Sequence, residues 1–217
     1  MRQLAFDLPH RAAMGRSDFI ISGSNTLAVA EIERWDLWSE GRLALLGPEG
    51  AGKTHLAQVF AALTGARTVS PLTTPLARPG AIILEDLDRL ADPAAVSEPL
   101  FHLLNAQRAA GQPVLLTGRT PPLRWRLGLA DLASRLAASS VVRIEPPDDA
   151  LLAALLRKLF DDRQLACPDP VIRFLVPRIE RSYKAAQRVV ARMDALALDL
   201  RHEISVALAV KALAAPA

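Results

Sequence analysis

An α/β fold, with a parallel sheet flanked by helices and a small all-helical domain after it, is predicted by three features of the sequence. Short apolar runs without polar alternation recur between Leu43 and Ile144, as expected of strands buried on both faces. Longer helical stretches separate these runs, which is the connection a parallel strand pair requires. After Pro146-Pro147 no strand signal follows, and apolar residues recur at helical spacing instead.

In order, residues 1–17 read as a flexible leader, with Pro9, Gly15 and few periodic apolar positions. Strands are expected at Leu43–Leu46, Arg67–Ser70, Ala81–Leu84, Val114–Thr117 and Val141–Ile144. Helices over Lys53–Leu63 and Ala94–Ala110 supply crossovers. In the tail, Leu151, Leu152, Leu155, Leu156 and Leu159 share a helical face, as do Val171, Phe174 and Leu175. Further helices are expected over Tyr183–Leu200 and Ser205–Leu213. The expected organisation is therefore a leader (1–17), an α/β domain (18–146) and a helical domain (147–217). The Pro-rich link Pro71–Gly80 has no assigned role.

Composition narrows the function. The chain has 217 residues, half of them apolar, enough for one sizeable domain with a smaller one attached. A formal net charge of +3 is far from that of a polybasic nucleic-acid binder. The single cysteine, Cys167, excludes an intrachain disulfide and a thiolate metal cluster, and the four histidines are scattered. There is no apolar run of membrane-spanning length and no signal peptide, so a cytoplasmic protein without a membrane partner is expected.

Gly47-Pro48-Glu49-Gly50-Ala51-Gly52-Lys53-Thr54 fits the pattern G-x-x-x-x-G-K-S/T in full. It follows a strand and opens a helix, where its chemistry needs it. The glycines allow a tight turn that aims backbone N–H groups at phosphate oxygens, and the helix N-terminus adds partial positive charge. Lys53 is expected to reach the β and γ phosphates and Thr54 to ligand Mg²⁺. A chance match in a chain of this length is on the order of one in a hundred, so an ordinary glycine-rich turn is the poorer reading. Downstream, Ala81–Leu84 followed by Glu85-Asp86 reads as a Walker B strand. One carboxylate is expected in the Mg²⁺ shell (Glu85) and the next to polarise the attacking water (Asp86). Glu85 stands where Asp is usual, which argues for weak hydrolysis with binding retained.

With these motifs in place, nearly the whole chain resembles the DnaA family of AAA+ ATPases, most of all its Hda-type regulatory branch. Phe19-Ile20-Ile21-Ser22-Gly23-Ser24-Asn25 is similar to the segment that the family places against adenine and ribose. Gly52-Lys53-Thr54-His55-Leu56 is the family's P-loop ending. Phe101-His102-Leu103-Leu104-Asn105 is similar to the helix between the Walker B and sensor I strands, and Leu115 to Pro122 to the sensor I segment. Leu127 to Leu136, ending in Ser134-Arg135-Leu136, resembles the Hda version of the arginine-finger segment. The leader's Gln3-Leu4-Ala5-Phe6-Asp7-Leu8 resembles Q-L-x-L/F-x-L peptides that dock on the bacterial sliding clamp.

The resemblance implies a nucleotide site, for ADP or ATP with Mg²⁺, formed by Phe19, Ile20, Asn25, Gly47, Glu49, Gly50, Ala51, Gly52, Lys53, Thr54 and His55. It makes Arg181, in Ile179-Glu180-Arg181-Ser182, the sensor II contact, with Lys184 and Arg188 on nearby faces. It makes Arg135 a trans-acting finger; the alternative is a surface arginine paired with Asp131 at i, i+4. Arg119 departs from the polar or acidic residue usual at sensor I. Gln3, Leu4, Phe6 and Leu8 become contacts for the β sliding clamp of DNA polymerase III, the alternative being an N-terminal strand packed on the core. The chain stops where DnaA adds its helix-turn-helix domain, so sequence-specific DNA binding is not expected. The implied function is negative regulation of replication initiation at the replisome and nucleoid. A clamp-associated, nucleotide-bound protein would stimulate hydrolysis of DnaA-bound ATP through Arg135. A slow ATPase, or an adaptor for origin localisation or helicase loading, is the alternative, and a homo-oligomer is left open.

Overall fold

The structure, a computed structural model, describes residues 20–72 and 80–214. Five parallel strands form one sheet: β1 (Arg42–Leu46), β2 (Arg67–Thr68), β3 (Ile82–Leu84), β4 (Val114–Gly118) and β5 (Ser140–Arg143), in the order β2-β3-β4-β1-β5. Leu43 to Leu46 run in register against Leu115 to Gly118 on one side and Ser140 to Arg143 on the other. The central strands β1, β3 and β4 are buried throughout, as their unbroken apolar runs predict. The outer strands correct that expectation. β2 is part-exposed, and β5 buries only Val142 while Val141 is 54% exposed, because an edge strand has one neighbour and incomplete cover.

Eight helices occur among the described residues: α1 (Thr26–Glu33), α2 (Lys53–Thr64), α3 (Pro93–Ala109), α4 (Ala130–Ala137), α5 (Asp149–Asp161), α6 (Asp169–Leu175), α7 (Tyr183–Leu200) and α8 (Val206–Ala214). The first four cover the sheet, and the strand period of two divides β1 between its faces. Leu43 and Leu45 join Ile32, Leu56 and Phe60 under α1 and α2, where Trp38 stacks on Phe60. Ala44 and Leu46 join Leu100, Leu104, Leu132 and Leu136 under α3 and α4. A third apolar cluster is built by the last four helices and the links between them, and includes Leu156, Phe160, Ile172, Val190, Met193 and Leu208.

Local signals set the helix ends. Asp92 caps α3 by accepting from the N–H groups of Ala94 and Ala95 at 3.1 Å, with Pro93 in the first turn. Asp148 caps α5 through Leu151 N–H at 2.7 Å, just after the Pro146-Pro147 break. Gly65, at φ +71°, ends α2 in the left-handed conformation that glycine adopts without strain. The leader, Phe19 and most of the link 71–80 lie outside the described residues.

Candidate functional site

The P-loop Gly47–Gly52 joins the C-terminal end of β1, the strand between β4 and β5, to the N-terminus of α2. It therefore lies beside the exits of β4 and β5, at the sheet end where doubly wound folds bind ligands. Gly50 (φ +76°) and Gly52 (φ +103°) adopt left-handed geometry that turns the backbone inward. A Cβ on Gly47 would stand 2.8 Å from the Ile144 carbonyl, so the loop must begin with glycine to pass the end of β5. Lys53 is buried, and its ammonium donates to the carbonyls of Gly47 (2.8 Å) and Pro48 (3.0 Å). Burial lowers its pKa, opposed most by the Asp86 carboxylate.

A cleft of about 310 Å³ opens over this loop, at the small end of the range typical of ligand sites, roughly 300–1,000 Å³. The sequence-predicted residues Ile20, Asn25, Glu49, Gly50, Ala51, Gly52, Lys53, Thr54, His55 and Asp86 all line it. Asn25 has a structural occupation as well. Its side-chain oxygen accepts from Ser22 N–H, and its amide donates to the Ile20 carbonyl, both at 2.9 Å, so it ties residues 20–25 into the wall.

Other predicted residues stand elsewhere. Glu85 is absent from the cleft wall, whereas Asp86, held at φ +52° with its N–H donated to Thr117 Oγ1, turns onto it. The chain bends left-handed immediately after β3, and that bend decides which of the two adjacent carboxylates faces the loop. Gly47 abuts β5 and supports the loop from behind. Arg181 also misses the cleft: its Nη2 pairs with Asp149 Oδ1 at 2.7 Å, joining the start of α7 to α5. The helical register instead carries Lys184 onto the wall, with Tyr183 and Gln187, while Arg188 lines a separate cavity between α7 and α8.

The helical half of the cleft was largely missed from the sequence. Leu151, Leu155 and Leu159 of α5 form an apolar ledge at i, i+4, i+8, opposite the polar loop. That spacing is visible in the sequence, but it predicts only a buried face and not what lies against it. Tyr183 N–H donates to the Gly50 carbonyl at 2.9 Å, so α7 is fastened directly to the P-loop.

Arg119 adds a charged bridge. Its Nη2 meets Glu49 Oε2 at 2.6 Å, and Lys184 Nζ meets Glu49 Oε1 at 2.7 Å. Lys184 chiefly, then Arg119, holds the Glu49 carboxyl below the usual carboxylate range. The Arg119 N–H donates to Asp88 Oδ2 at 2.8 Å, while Asp88 Oδ1 is buried without a hydrogen-bond partner.

Arg135 does not line the cleft. Its guanidinium carbon lies 4.9 Å from the centre of the Phe101 ring, on the face covered by α3 and α4. Its carbonyl accepts from Arg42 Nη2 at 3.1 Å, and no ion pair joins Arg135 to Asp131.

The site suits a phosphate chain with a divalent cation. Two glycines at positive φ shape the loop, one ammonium binds the loop's own carbonyls, and Thr54 and Asp86 offer the hard oxygen donors that Mg²⁺ takes. Among the described residues there is no group of three or more His, Cys, Asp or Glu that could hold a metal by itself. No helix there is long and apolar enough to cross a membrane.

A parallel five-stranded sheet flanked by helices, in the order β2-β3-β4-β1-β5 with a P-loop after the interior strand β1, is an AAA+-like fold. Among solved structures, domain III of Thermotoga maritima DnaA superposes with a TM-score of 0.78 at 17% identity, covering 92% of this chain and 95% of that one. Thermotoga maritima RuvB gives 0.69 at 20% identity, covering 93% and 71%. AMPPCP-bound DnaA from Aquifex aeolicus gives 0.68 at 17% identity, covering 84% and 65%. In sequence, the chain is 28% identical over 132 residues to the chromosomal replication initiator protein DnaA of Symbiobacterium thermophilum, 61% of this chain and 29% of that protein. It is 30% identical over 133 residues to DnaA of Thermomicrobium roseum, 61% of this chain and 28% of that protein. No protein-family model matches the chain. The chain is therefore similar in sequence to DnaA over 61% of its length and shares the fold of DnaA domain III and of RuvB, and it spans under a third of the length of these curated relatives.

Proposed function

We propose that this protein is a nucleotide-bound regulator of bacterial replication initiation that stimulates hydrolysis of DnaA-bound ATP in trans. The observation that carries this reading is the position of Arg135, outside its own cleft and braced on Phe101. A guanidinium so placed is out of reach of its own phosphate site and available to a phosphate presented by another molecule, and similarity to DnaA supports DnaA as that molecule.

The protein's own cleft takes an adenine nucleotide, ADP or ATP; AMPPCP occupies the DnaA homologue of similar fold. Residues 18–146 bind its phosphates and residues 147–217 close over it as a lid. Lys53 exchanges its bonds to the Gly47 and Pro48 carbonyls for bonds to phosphate oxygens, while Leu151, Leu155 and Leu159 give the base an apolar ledge. Mg²⁺, held by Thr54 and Asp86, would screen the phosphate charge. Gln3, Leu4, Phe6 and Leu8 of the leader bind the sliding clamp; this part of the reading rests on the peptide's sequence alone.

Asp86 on the cleft wall favours a second reading, a slow ATPase in its own right. The Asp86→Asn variant separates the two, since it removes intrinsic turnover and leaves Arg135 untouched. The deciding experiment mixes purified protein, clamp loaded on DNA and DnaA carrying labelled ATP. Hydrolysis should accelerate with the wild type and drop by about a thousandfold with Arg135→Ala, as for other arginine fingers. A Gln3→Ala/Leu4→Ala/Phe6→Ala variant should lose both clamp binding and stimulation. No acceleration by the wild type would sink the regulator reading.

A further inference from the structure

Glu49, the third residue of the P-loop, stands between cations from two other elements. Arg119 reaches it from the exit of β4 at 2.6 Å and Lys184 from the first turn of α7 at 2.7 Å. All three line the cleft that contains Lys53. The phosphate-binding pattern needs only a backbone N–H at that position, so it does not require the carboxylate.

A phosphate chain seated on the N-terminus of α2 would bring anionic oxygens toward Arg119 and Lys184, beside Glu49. Carboxylate and terminal phosphate then compete for the same donors, and their repulsion grows with each phosphate charge. We propose that Glu49 is the specificity-determining residue for phosphate number: an internal anion that holds Arg119 and Lys184 and penalises each added phosphate. The proposal rests on the nucleotide reading of the cleft. The Tyr183–Gly50 bond joins backbone atoms and uses none of the three bridging side chains, so the bridge can open without unfastening α7 from the loop. The Glu49 side chain is half exposed, and solvent screening holds the penalty to about threefold in affinity for each phosphate beyond the first.

The test measures calorimetric binding of AMP, ADP and a non-hydrolysable ATP analogue to the wild type, Glu49→Gln, Glu49→Asp and Lys53→Ala. Glu49→Gln should bind AMP nearly as the wild type does, ADP about threefold tighter and the triphosphate about tenfold tighter, with the gains shrinking at high salt. Glu49→Asp, which keeps the charge, should retain the wild-type ranking. An equal change for all three nucleotides in Glu49→Gln, or a loss that grows with phosphate number, overturns the proposal while the nucleotide reading stands. If neither the wild type nor Glu49→Gln binds any of the three, both fall.

Discussion

Cys167 shows how burial can dominate the chemistry of a side chain. It packs against the apolar cluster of the last four helices, and burial raises its thiol pKa from an ordinary 9.0 to about 11, with Arg157 opposing. Thiolate is the reactive form. Alkylation at pH 8 should therefore run roughly a hundredfold slower in the folded protein than in the denatured chain, measured by mass spectrometry against time. The linkage has a definite sign. Between pH 9 and 11 the folded state keeps a proton that the unfolded state has released, so this contribution is complete below pH 9 and declines toward pH 11. An alkylation rate equal in both states at pH 8 would contradict the burial argument. The same residue-scale logic separates Asp86 from Glu85: the adjacent carboxylates are nearly equivalent in composition, and the φ of +52° after β3 turns only one of them onto the cleft.

At the scale of elements, α7 decides which basic residue meets the phosphate site. Its start is fixed by Ser182, whose hydroxyl accepts from Ala185 N–H at 3.1 Å, and by the Tyr183–Gly50 bond. Lys184 then faces the cleft, while Arg181, ahead of the helix, reaches Asp149. Ser182→Ala should lower stability by about 1 kcal/mol in denaturant titration, as lost N-caps do. It should also weaken nucleotide binding, because the first turn carrying Lys184 frays. Unchanged stability would mean that the cap contributes nothing beyond the backbone bond. The spans of α2, α3 and α7 were legible to within a residue or so, since their apolar spacing and caps are local signals. Edge character was not legible: Val141 and Val142 read alike, but they point to opposite faces of the edge strand β5, and only the face of Val142 is covered by the core under α1 and α2.

At the scale of the whole molecule, one cleft joins the sheet to the helical cluster, so ligand binding should stabilise both together. At a nucleotide concentration of 100 times Kd, linkage contributes about 2.7 kcal/mol. For a chain of this size that raises Tm by roughly 5–10 °C. Differential scanning fluorimetry should show a single shifted transition, absent in Lys53→Ala. Two transitions, with only one moving, would show that the helical cluster does not share the site.

The sequence by itself determined the alternation of strands and helices, the helical tail and the phosphate loop. Each rests on residues close together in the chain, where spacing and composition act directly. It also supplied most of the loop side of the cleft, because Gly47 to Thr54 is a contiguous motif. The tertiary structure alone decided the strand order, the apolar ledge of α5 across from the loop, and the partners of the charged residues. Glu49 meets Arg119 and Lys184 from 70 and 135 residues away, and Arg181 is drawn to Asp149 instead of the cleft. No periodicity encodes such pairs, since they depend on where the packing of two apolar cores leaves each helix end.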